Sequence, residues 1–371
     1  MTEAEAWLAL NAAELPPRTM LDLLDHYGSP LALLEAGASA VSATGRLRTQ
    51  ETIRLSAAAK HDYRPDLEKL NRLGARLVTV RDSEYPTNLR QIYDPPPVLF
   101  VRGTLRPEDE NAVAIVGTRR VTPYGRLVSE TLARDLAARG LTVVSGLAMG
   151  ADAAAHRGAL SAGGRTIGVL ACGIDVPYPR ETMELREQAV ARGAVVSEVP
   201  LGTPARKERF AARNRLISGL SLGVVVTEAP ERSGALITAN LAANQGRQVF
   251  AVPGSVNSEF SRGTHALLKD GAQLVESVED ILEVLSLSMP AVAPTSEPKV
   301  AGPEPKPPAA VADLSGDEGV ILNALSLQQR HVDEIIEGCA LPASRASAGL
   351  LMLELKGLIR RLPGNMFMRV R

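Results

Sequence analysis

Short β-branched or apolar runs alternate with amphipathic stretches of helical length between about residues 75 and 285. This alternation predicts a parallel β-sheet, because each parallel strand is joined to the next by a crossover that is usually a helix. Gly140, Gly193, Gly246 and Gly271 stand where helices should end in a left-handed residue before the next strand. The predicted strands are 112–116, 142–145, 166–170, 194–197, 223–227 and 248–252.

The segments on either side of this α/β domain, which we place at residues 73–288, differ in composition. Residues 1–72 hold short helix-like stretches separated by Gly and Pro, which predict a helical domain similar to sterile-alpha-motif or helix-hairpin-helix modules. Such modules contact nucleic acid in some proteins and only dimerise in others. Residues 289–314 are rich in Pro and predict an extended linker.

The last segment, residues 315–371, has the element order of a winged helix. Three helix-like stretches are followed by two short β runs around Pro363, Gly364 and Asn365. Ser344 and Arg345 lie in the third helix and are candidates for facing duplex DNA. A winged helix that binds a protein partner or dimerises is equally compatible with the sequence.

Composition excludes several classes of protein. With 45% hydrophobic and 22% charged residues, the chain of 371 residues can bury a core and form two or three domains. No run approaches the about 20 apolar residues of a membrane helix, and the N-terminus is acidic where a signal peptide is basic, so we expect a cytoplasmic protein without membrane contact. Cys172 and Cys339 are far apart without CxxC spacing, which predicts two buried thiols rather than a disulfide or zinc site.

A basic segment with one aromatic residue lies in a chain whose formal charge is −1. It reads RKERFAARNR from Arg206 to Arg215, and within it only Glu208 opposes the five cations. A solvated helix face is the simpler interpretation of such a run. The alternative is an anion-binding surface on which Phe210 serves as a platform for a stacked base.

The first predicted strand runs into Gly117, Thr118, Arg119 and Arg120, and residues 123–125 open the next helix. Loops and helix N-termini gather at the carboxyl edge of a parallel sheet, and a helix N-terminus favours anions. The glycine would let a ligand approach the backbone, and the threonine offers a hydroxyl. Neither a GxGxxG nor a GxxxxGK[ST] motif is present, so phosphate binding is predicted without NAD, ATP or another cofactor. A plain turn with exposed arginines is the alternative.

The second predicted strand ends in a turn of small residues, where Gly146 and Gly150 allow tight packing or backbone contact with a ligand. Asp152 and His156 share one helix face at i, i+4 spacing, as two metal ligands would. No third ligand is nearby, so we expect a capping Asp and an internal His hydrogen bond, and no metal.

Six segments, taken in order, closely resemble the DNA-processing protein family DprA, also called Smf. They are AIVGTRRVTPYG (114–125), SGLAMGADAAAHRGAL (145–160), GRTIGVLACGIDVPYP (164–179), FAARNRLISGLS (210–221), SGALITANLA (233–242) and AVPGSVNS with GTHALLKDGA (within 251–272). The resemblance implies an α/β fold: an extended Rossmann-like domain flanked by a small N-terminal helical domain and a C-terminal winged helix. It also implies a protein of natural transformation that binds single-stranded DNA, protects incoming DNA, helps to load RecA recombinase, forms a homodimer and is not an enzyme.

Site residues follow from the resemblance by position. The DNA-contacting set becomes Gly117, Thr118, Arg119, Lys207, Phe210, Arg213, Asn214 and Arg215. Ser233 and Gly234 are the expected hydroxyl or backbone donors, and Arg120, Arg206 and Arg209 are candidates for the rim. Two departures stand out. Ala211 replaces a Pro that is frequent in the family, and Gly263-Thr264-His265 replaces a Gly-x-Asn pattern, so His265 receives no role.

The scarcity of aromatic residues, 3% of the chain, favours a protein that reads phosphates rather than bases. If about four cations each neutralise one phosphate of a single strand, log affinity should fall with log salt at a slope of about −3. On this view, Arg119→Ala or Arg213→Ala should weaken binding to all sequences and flatten that slope.

An enzyme is the rival interpretation. Glu198 and Glu228 follow two predicted strands at the ligand edge, and Rossmann-like nucleotide N-glycosidases of the Lonely Guy type use a glutamate near a Gly-rich turn. The PGGxGTxxE signature of those hydrolases is absent, which leaves Glu228 and a later Ser-Gly pair as the only similarity. A third interpretation is an adaptor whose basic groove binds an acidic protein.

Overall fold

The computed structural model describes residues 1–287, 316–325, 330–339, 341–362 and 366–369. The chain divides into two compact units, Met1–Val292 and Ala293–Arg371. The predicted linker at 289–314 and the predicted turn at 363–365 lie outside the described residues. The limits proposed above for the individual domains stay predictions.

The first unit combines a large sheet with helices. Its helices are α1 (Glu3–Ala12), α2 (Pro17–Tyr27), α3 (Pro30–Ala43), α4 (Thr49–Ala58), α5 (Arg64–Arg72), α6 (Thr87–Arg90), α7 (Pro123–Ala138), α8 (Ala151–Ser161), α9 (Met183–Arg192), α10 (Lys207–Gly219), α11 (Gly234–Asn244), α12 (Arg262–Lys269) and α13 (Val278–Val284). Its strands are β1 (Ala75–Thr79), β2 (Val98–Gly103), β3 (Ala112–Val116), β4 (Thr142–Ser145), β5 (Thr166–Val169), β6 (Ala194–Ser197), β7 (Gly223–Val226), β8 (Gln248–Ala251) and β9 (Gln273–Leu274).

The nine strands form one sheet in the order β1-β2-β6-β5-β4-β3-β7-β8-β9. From β6 to β9 all neighbouring strands are parallel, and the six predicted strands are confirmed to within one residue at each end. Two strands that were not predicted extend this parallel sheet at one side, where β2 pairs antiparallel with both β1 and β6. The strand order reverses between β3 and β7, the place where open α/β sheets form their ligand crevice.

Burial on both faces explains why the central strands are apolar throughout. In β3, Ala114 belongs to the core cluster that contains Leu216 of α10, whereas its neighbour Ile115 belongs to the cluster that contains Leu136 of α7. Successive side chains of a strand point to opposite faces, so helices cover both sides of the sheet.

Three of the four predicted helix-ending glycines are left-handed: Gly140, Gly246 and Gly271 have φ of 81°, 69° and 96°. The prediction is wrong for Gly193, whose φ is −161°. Glycine is required there for a different reason, because a Cβ would clash with the carbonyl oxygen of Thr166.

The N-terminal helices are present as predicted, with a kink in α3 where Gly37 adopts φ 80°. They pack against the sheet: Leu8 and Ala9 of α1 share a buried cluster with Phe100 of β2 and Val195 of β6. Their likeness to sterile-alpha-motif or helix-hairpin-helix modules stays a prediction.

The second unit has the winged-helix order that the sequence predicts, with one additional strand. Its elements are α14 (Gly316–Ala324), β10 (Arg330–His331), α15 (Val332–Cys339), α16 (Ala343–Leu355), β11 (Ile359–Leu362) and β12 (Met366–Arg369). The strands pair antiparallel in the order β10-β12-β11, and the sequence analysis missed β10. Ser344 and Arg345 are exposed on α16, and the Arg345 guanidinium donates to both carboxylate oxygens of Asp317 at 2.7 Å.

Both cysteines are buried, as expected. Among the described residues, no helix has the length and apolar character needed to cross a membrane.

The buried imidazole of His156 confirms the expected internal hydrogen bond. Thr166 Oγ1 donates to the carbonyl of Val143, so it accepts from His156 Nδ1, 2.7 Å away. Gly150 rather than Asp152 is the N-cap of α8, so the expected capping role of Asp152 is wrong. Burial, with Arg213 and Arg157 nearby, lowers the pKa of His156 from 6.5 to about 3.

We expect His156 to make the fold sensitive to acid. The unfolded chain binds a proton below pH 6.5 that the fold excludes until about pH 3, so stability falls as pH is lowered through this window. The loss from this residue between pH 7 and pH 5 should be about 2 kcal/mol. Urea unfolding of the wild type and of His156→Gln at both pH values measures it, and an equal loss in the two proteins would contradict the assignment.

Candidate nucleic-acid interface

The carboxyl ends of β4 and β5, the loop after β3 and the first turns of α10 enclose a small pocket. Its outer walls include Arg119, Met149, Tyr178 and Phe210. Its floor is the chain that follows β4 and β5, including Gly146. The pocket therefore brings two predicted site residues, Arg119 and Phe210, into one place.

Phe210 is half-buried at the centre of this arrangement. The guanidinium carbon of Arg119 lies 4.6 Å from the centroid of its ring, a cation–π contact. The ring of Tyr178 lies 6.0 Å away, tilted by 58°. The sequence analysis missed Tyr178, because the residue lies in the loop after β5 and forms no motif with the basic segment.

Four cations in the two segments that carry Arg119 and Phe210 are exposed. Arg119 lines the pocket, and Arg120, Arg206 and Lys207 lie within four residues of Arg119 or Phe210 in the sequence. In the part of the chain that the structure describes, none of them lies within ion-pair distance of a carboxylate, whereas Arg209 pairs with Glu14 at 2.7 Å. The exposed four can therefore meet an incoming anion without first breaking an ion pair.

Arg213 faces inward, with only 5% of its surface exposed. Its Nη1 donates to the carbonyls of Gly146, at 2.8 Å, and Val169, which joins the ends of β4 and β5. Burial lowers the pKa of the guanidinium to about 10, although the nearby carboxylate of Asp152 favours its charged form. The expected phosphate contact of Arg213 does not fit this placement, and the residue instead holds two loops together.

Asn214 and Arg215 are also buried. The Asn214 amide donates to the carbonyl of Gly234 at 3.3 Å, and Arg215 forms ion pairs with Glu198 and, at 3.2 Å, with Asp94. This burial disfavours the predicted contact of Asn214 and Arg215 with DNA, which stays a prediction.

Helical periodicity could have revealed the inward position of Arg213. Leu216, Ile217 and Leu220 mark the buried face of α10, and Arg213 precedes them by three, four and seven residues. Residues at these spacings share one face of a helix.

Gly117 and Gly146 are closely packed, which agrees with the tight packing considered for Gly146, whereas the ligand approach at Gly117 stays a prediction. A Cβ on Gly117 would lie 2.7 Å from Ala151 Cβ and 2.9 Å from Thr227 Oγ1. A Cβ on Gly146 would meet the guanidinium of Arg213. Neither position therefore has room for a side chain.

Thr118 shapes the loop that carries Arg119 and Arg120. The threonine is buried, its N–H donates to the carbonyl of Glu228 at 2.8 Å, and its hydroxyl accepts from the N–H of Arg120 at 3.2 Å. The expectation of a ligand-facing hydroxyl at Thr118 does not fit this burial.

Glu228 is buried, and its carboxylate accepts from the N–H of Thr122 at 2.9 Å and from its hydroxyl at 2.6 Å. Burial raises the pKa of Glu228 against the lowering effect of these two bonds. Burial likewise raises the pKa of Glu198, which is bonded to Arg215. Neither carboxylate lines the pocket.

Ser233 and Gly234 open α11, which packs against α10. The hydroxyl of Ser233 accepts from the N–H of Ala235 at 3.2 Å, and Gly234 is exposed with no atom within 4 Å of a Cβ built on it.

His265 donates from Nε2 to the carbonyl of Gly254 at 3.1 Å and does not line the pocket. Within the described ranges, no group of three or more His, Cys, Asp or Glu could hold a metal ion.

Comparison with known proteins adds an independent finding. The family model described as DNA recombination-mediator protein A matches residues 76–286, and the DprA winged helix domain matches residues 305–365. The DNA processing protein DprA of Bacillus subtilis is 41% identical over 62% of this chain and 80% of its own length. A putative DprA of Mycobacterium tuberculosis is 36% identical over 96% of this chain and 92% of its own.

Solved structures of this family have a similar fold. DprA of Streptococcus pneumoniae superimposes with a TM-score of 0.67 at 35% identity, covering 76% of this chain and 98% of that structure. The DNA processing protein A of Helicobacter pylori, described for its single-stranded DNA binding mode, gives a TM-score of 0.51 at 32% identity, covering 57% of this chain and 96% of that structure.

Proposed function

This chain belongs to the DprA/Smf family of DNA recombination mediators, and we propose that it is a DNA-processing protein of transformation that binds single-stranded DNA. The observation that carries the proposal is the group of four exposed cations, free of carboxylate partners among the described residues, in the two segments that carry Arg119 and the half-buried ring of Phe210. Cations along a groove hold a phosphate backbone, and an aromatic ring accepts any base.

The exposed groups on this surface favour binding to the phosphates of a strand over binding to its bases. Arg119, Arg120, Arg206 and Lys207 supply charge, Gly234 offers an exposed backbone at the start of α11, and Phe210 is the main stacking surface. One aromatic platform cannot read a sequence, so binding should be independent of sequence.

Gel-shift titrations of full-length protein with single-stranded and duplex DNA of equal length test the proposal. Preference for the single strand, with log affinity falling steeply with log salt, is the expected result. A chain ending near residue 288 keeps the pocket and should retain this preference. If both proteins ignore single strands, the proposal fails.

Phe210→Ala should weaken single-strand binding by about 1–3 kcal/mol, the usual contribution of one stacked base. The salt slope should stay unchanged, since no phosphate contact is removed. Phe210→Tyr keeps the ring and should bind as the wild type does. Tyr93→Ala removes an exposed aromatic outside the pocket and serves as the control. Equal losses in Phe210→Ala and Tyr93→Ala would contradict stacking at Phe210.

Protection of incoming DNA, loading of RecA and homodimer formation are proposed on family membership alone. Duplex binding by the winged helix is a separate proposal, and the exposed Ser344 would support it.

The family is one of DNA-binding recombination mediators, and we propose that this member catalyses no reaction. The carboxylate that an N-glycosidase would need, Glu228, is buried and bonded to Thr122. Incubation with nucleoside monophosphates should release no free base. Base release that Glu228→Gln abolishes would instead favour the enzyme.

A further inference from the structure

The carboxylate of Glu228 is buried without a cationic partner among the described residues. It lies where the strand order reverses between β3 and β7. Glu228 lies two residues after the end of β7, is 3% exposed, and forms no ion pair in the described part of the chain. Both of its side-chain hydrogen bonds come from Thr122, the N-cap of α7. The positive end of that helix therefore takes the place of a counter-charge.

Glu228 also fits its surroundings closely. A Cβ on Gly125, in the first turn of α7, would lie 2.7 Å from Glu228 Cγ. The carboxylate thus occupies the position at which many Rossmann-like sheets bind a ligand phosphate.

Glu228 accepts hydrogen bonds from both ends of the loop between Thr118 and Thr122. Its backbone carbonyl accepts from the N–H of Thr118 at 2.8 Å, and its carboxylate accepts from Thr122. Between these two anchors lie the exposed Arg119 and Arg120. Fixing the loop at both ends reduces the conformational freedom that the two arginines would lose on binding.

We propose that Glu228 is a positioning residue for single-stranded DNA: it serves as an internal anion at the start of α7 and directs Arg119 and Arg120 towards the bound strand. The inference rests on the proposed function, in which these arginines contact phosphates. It assigns to Glu228 the role of an anchor in place of the catalytic role that the rival interpretation required.

A double-mutant cycle tests the anchor. Glu228→Ala should weaken single-strand binding about tenfold, and Thr122→Val, which loses the hydroxyl but keeps the N–H, should weaken it about threefold. The double variant should bind no worse than Glu228→Ala, because Glu228→Ala already removes the acceptor of the Thr122 hydroxyl. The other bond of that hydroxyl, from the N–H of Gly125 at 3.1 Å, caps α7 and is lost in both variants that carry Thr122→Val. Glu228→Gln should bind within about threefold of the wild type, since its amide oxygen can still accept from the Thr122 N–H.

Asp109→Ala is the control for the loss of a buried carboxylate, and Asp109 differs from Glu228 in having a cation, Arg165, as a partner at 2.7 Å. This buried carboxylate also accepts from a threonine hydroxyl, that of Thr142 at 2.7 Å, and from a backbone N–H, that of Arg106 at 2.8 Å. It precedes β3 and so lies at the opposite edge of the sheet. Its loss should lower stability without changing affinity. Equal weakening by Asp109→Ala and Glu228→Ala would overturn the inference, as would wild-type affinity in Glu228→Ala.

Amide hydrogen exchange separates this inference from the proposed function. In Glu228→Ala, exchange should accelerate at Thr118 and Thr122, whereas Asp109→Ala should leave these amides protected. If the wild type failed to bind single strands, the proposed function would fall, and the exchange data would still decide whether Glu228 anchors the loop. Unchanged exchange in Glu228→Ala would refute the anchor in either case.

Discussion

Replacing Arg119, Arg120 and Lys207 together by alanine should weaken single-stranded DNA binding by two to three orders of magnitude. The three side chains are exposed and lack carboxylate partners among the described residues. A charge-assisted contact of this kind contributes about 1–1.5 kcal/mol after allowance for solvent, and every 1.4 kcal/mol is a factor of about ten. The slope of log affinity against log salt should become shallower by about 2, because each single-strand phosphate contact adds about 0.7.

The control removes the same charge elsewhere. Arg134, Arg157 and Arg192 are exposed on α7, α8 and α9, and none lines the pocket. Their joint replacement by alanine should change affinity less than threefold at about 0.15 M salt, where charges more than about 8 Å apart are largely screened. A similar loss in both triple variants would show that the overall charge, rather than this surface, attracts DNA.

Arg213→Ala should destabilise the fold by about 3–5 kcal/mol, because it removes a buried cation that hydrogen-bonds two buried carbonyls and lies near a buried carboxylate. The change leaves the carbonyls of Gly146 and Val169 without their donor and deprives Asp152 of the nearby cation. Arg213→Lys should restore little, because an ammonium lacks the planar set of donors of a guanidinium.

Urea unfolding measures this loss, with Arg119→Ala as the exposed control that should stay within about 0.5 kcal/mol of the wild type. These stability measurements would distinguish the buried Arg213 from the exposed Arg119, which were both predicted from the sequence to contact phosphates. Wild-type stability in Arg213→Ala, accompanied by weakened DNA binding, would mean that Arg213 reaches the strand after all.

The sequence predicted the parallel strands well because their residues are buried on both faces, and such strands are continuous apolar runs. It did not predict β1 and β2, the two strands that pair antiparallel at one side of the sheet. Gly193 was assigned a left-handed conformation because helix ends usually need one, whereas the close approach of Thr166 is visible only in three dimensions.

The site was predicted in part. The motif identified Arg119 and Phe210, which the structure brings to 4.6 Å. Charge alone could not distinguish Arg213, which lies on the buried face of α10, from the exposed Lys207. The partners that decide such roles are remote in sequence: Arg209 pairs with Glu14, 195 residues away.

The inward arginines of α10 also bear on how long a strand stays bound. Arg209, Arg213 and Arg215 are already engaged within the protein, which leaves Arg206 and Lys207 as the exposed cations of that segment. Differences in affinity among related complexes arise mostly from the dissociation rate, so a surface with fewer exposed charges releases its ligand sooner. A short residence time would suit the loading of a recombinase that we propose on family membership.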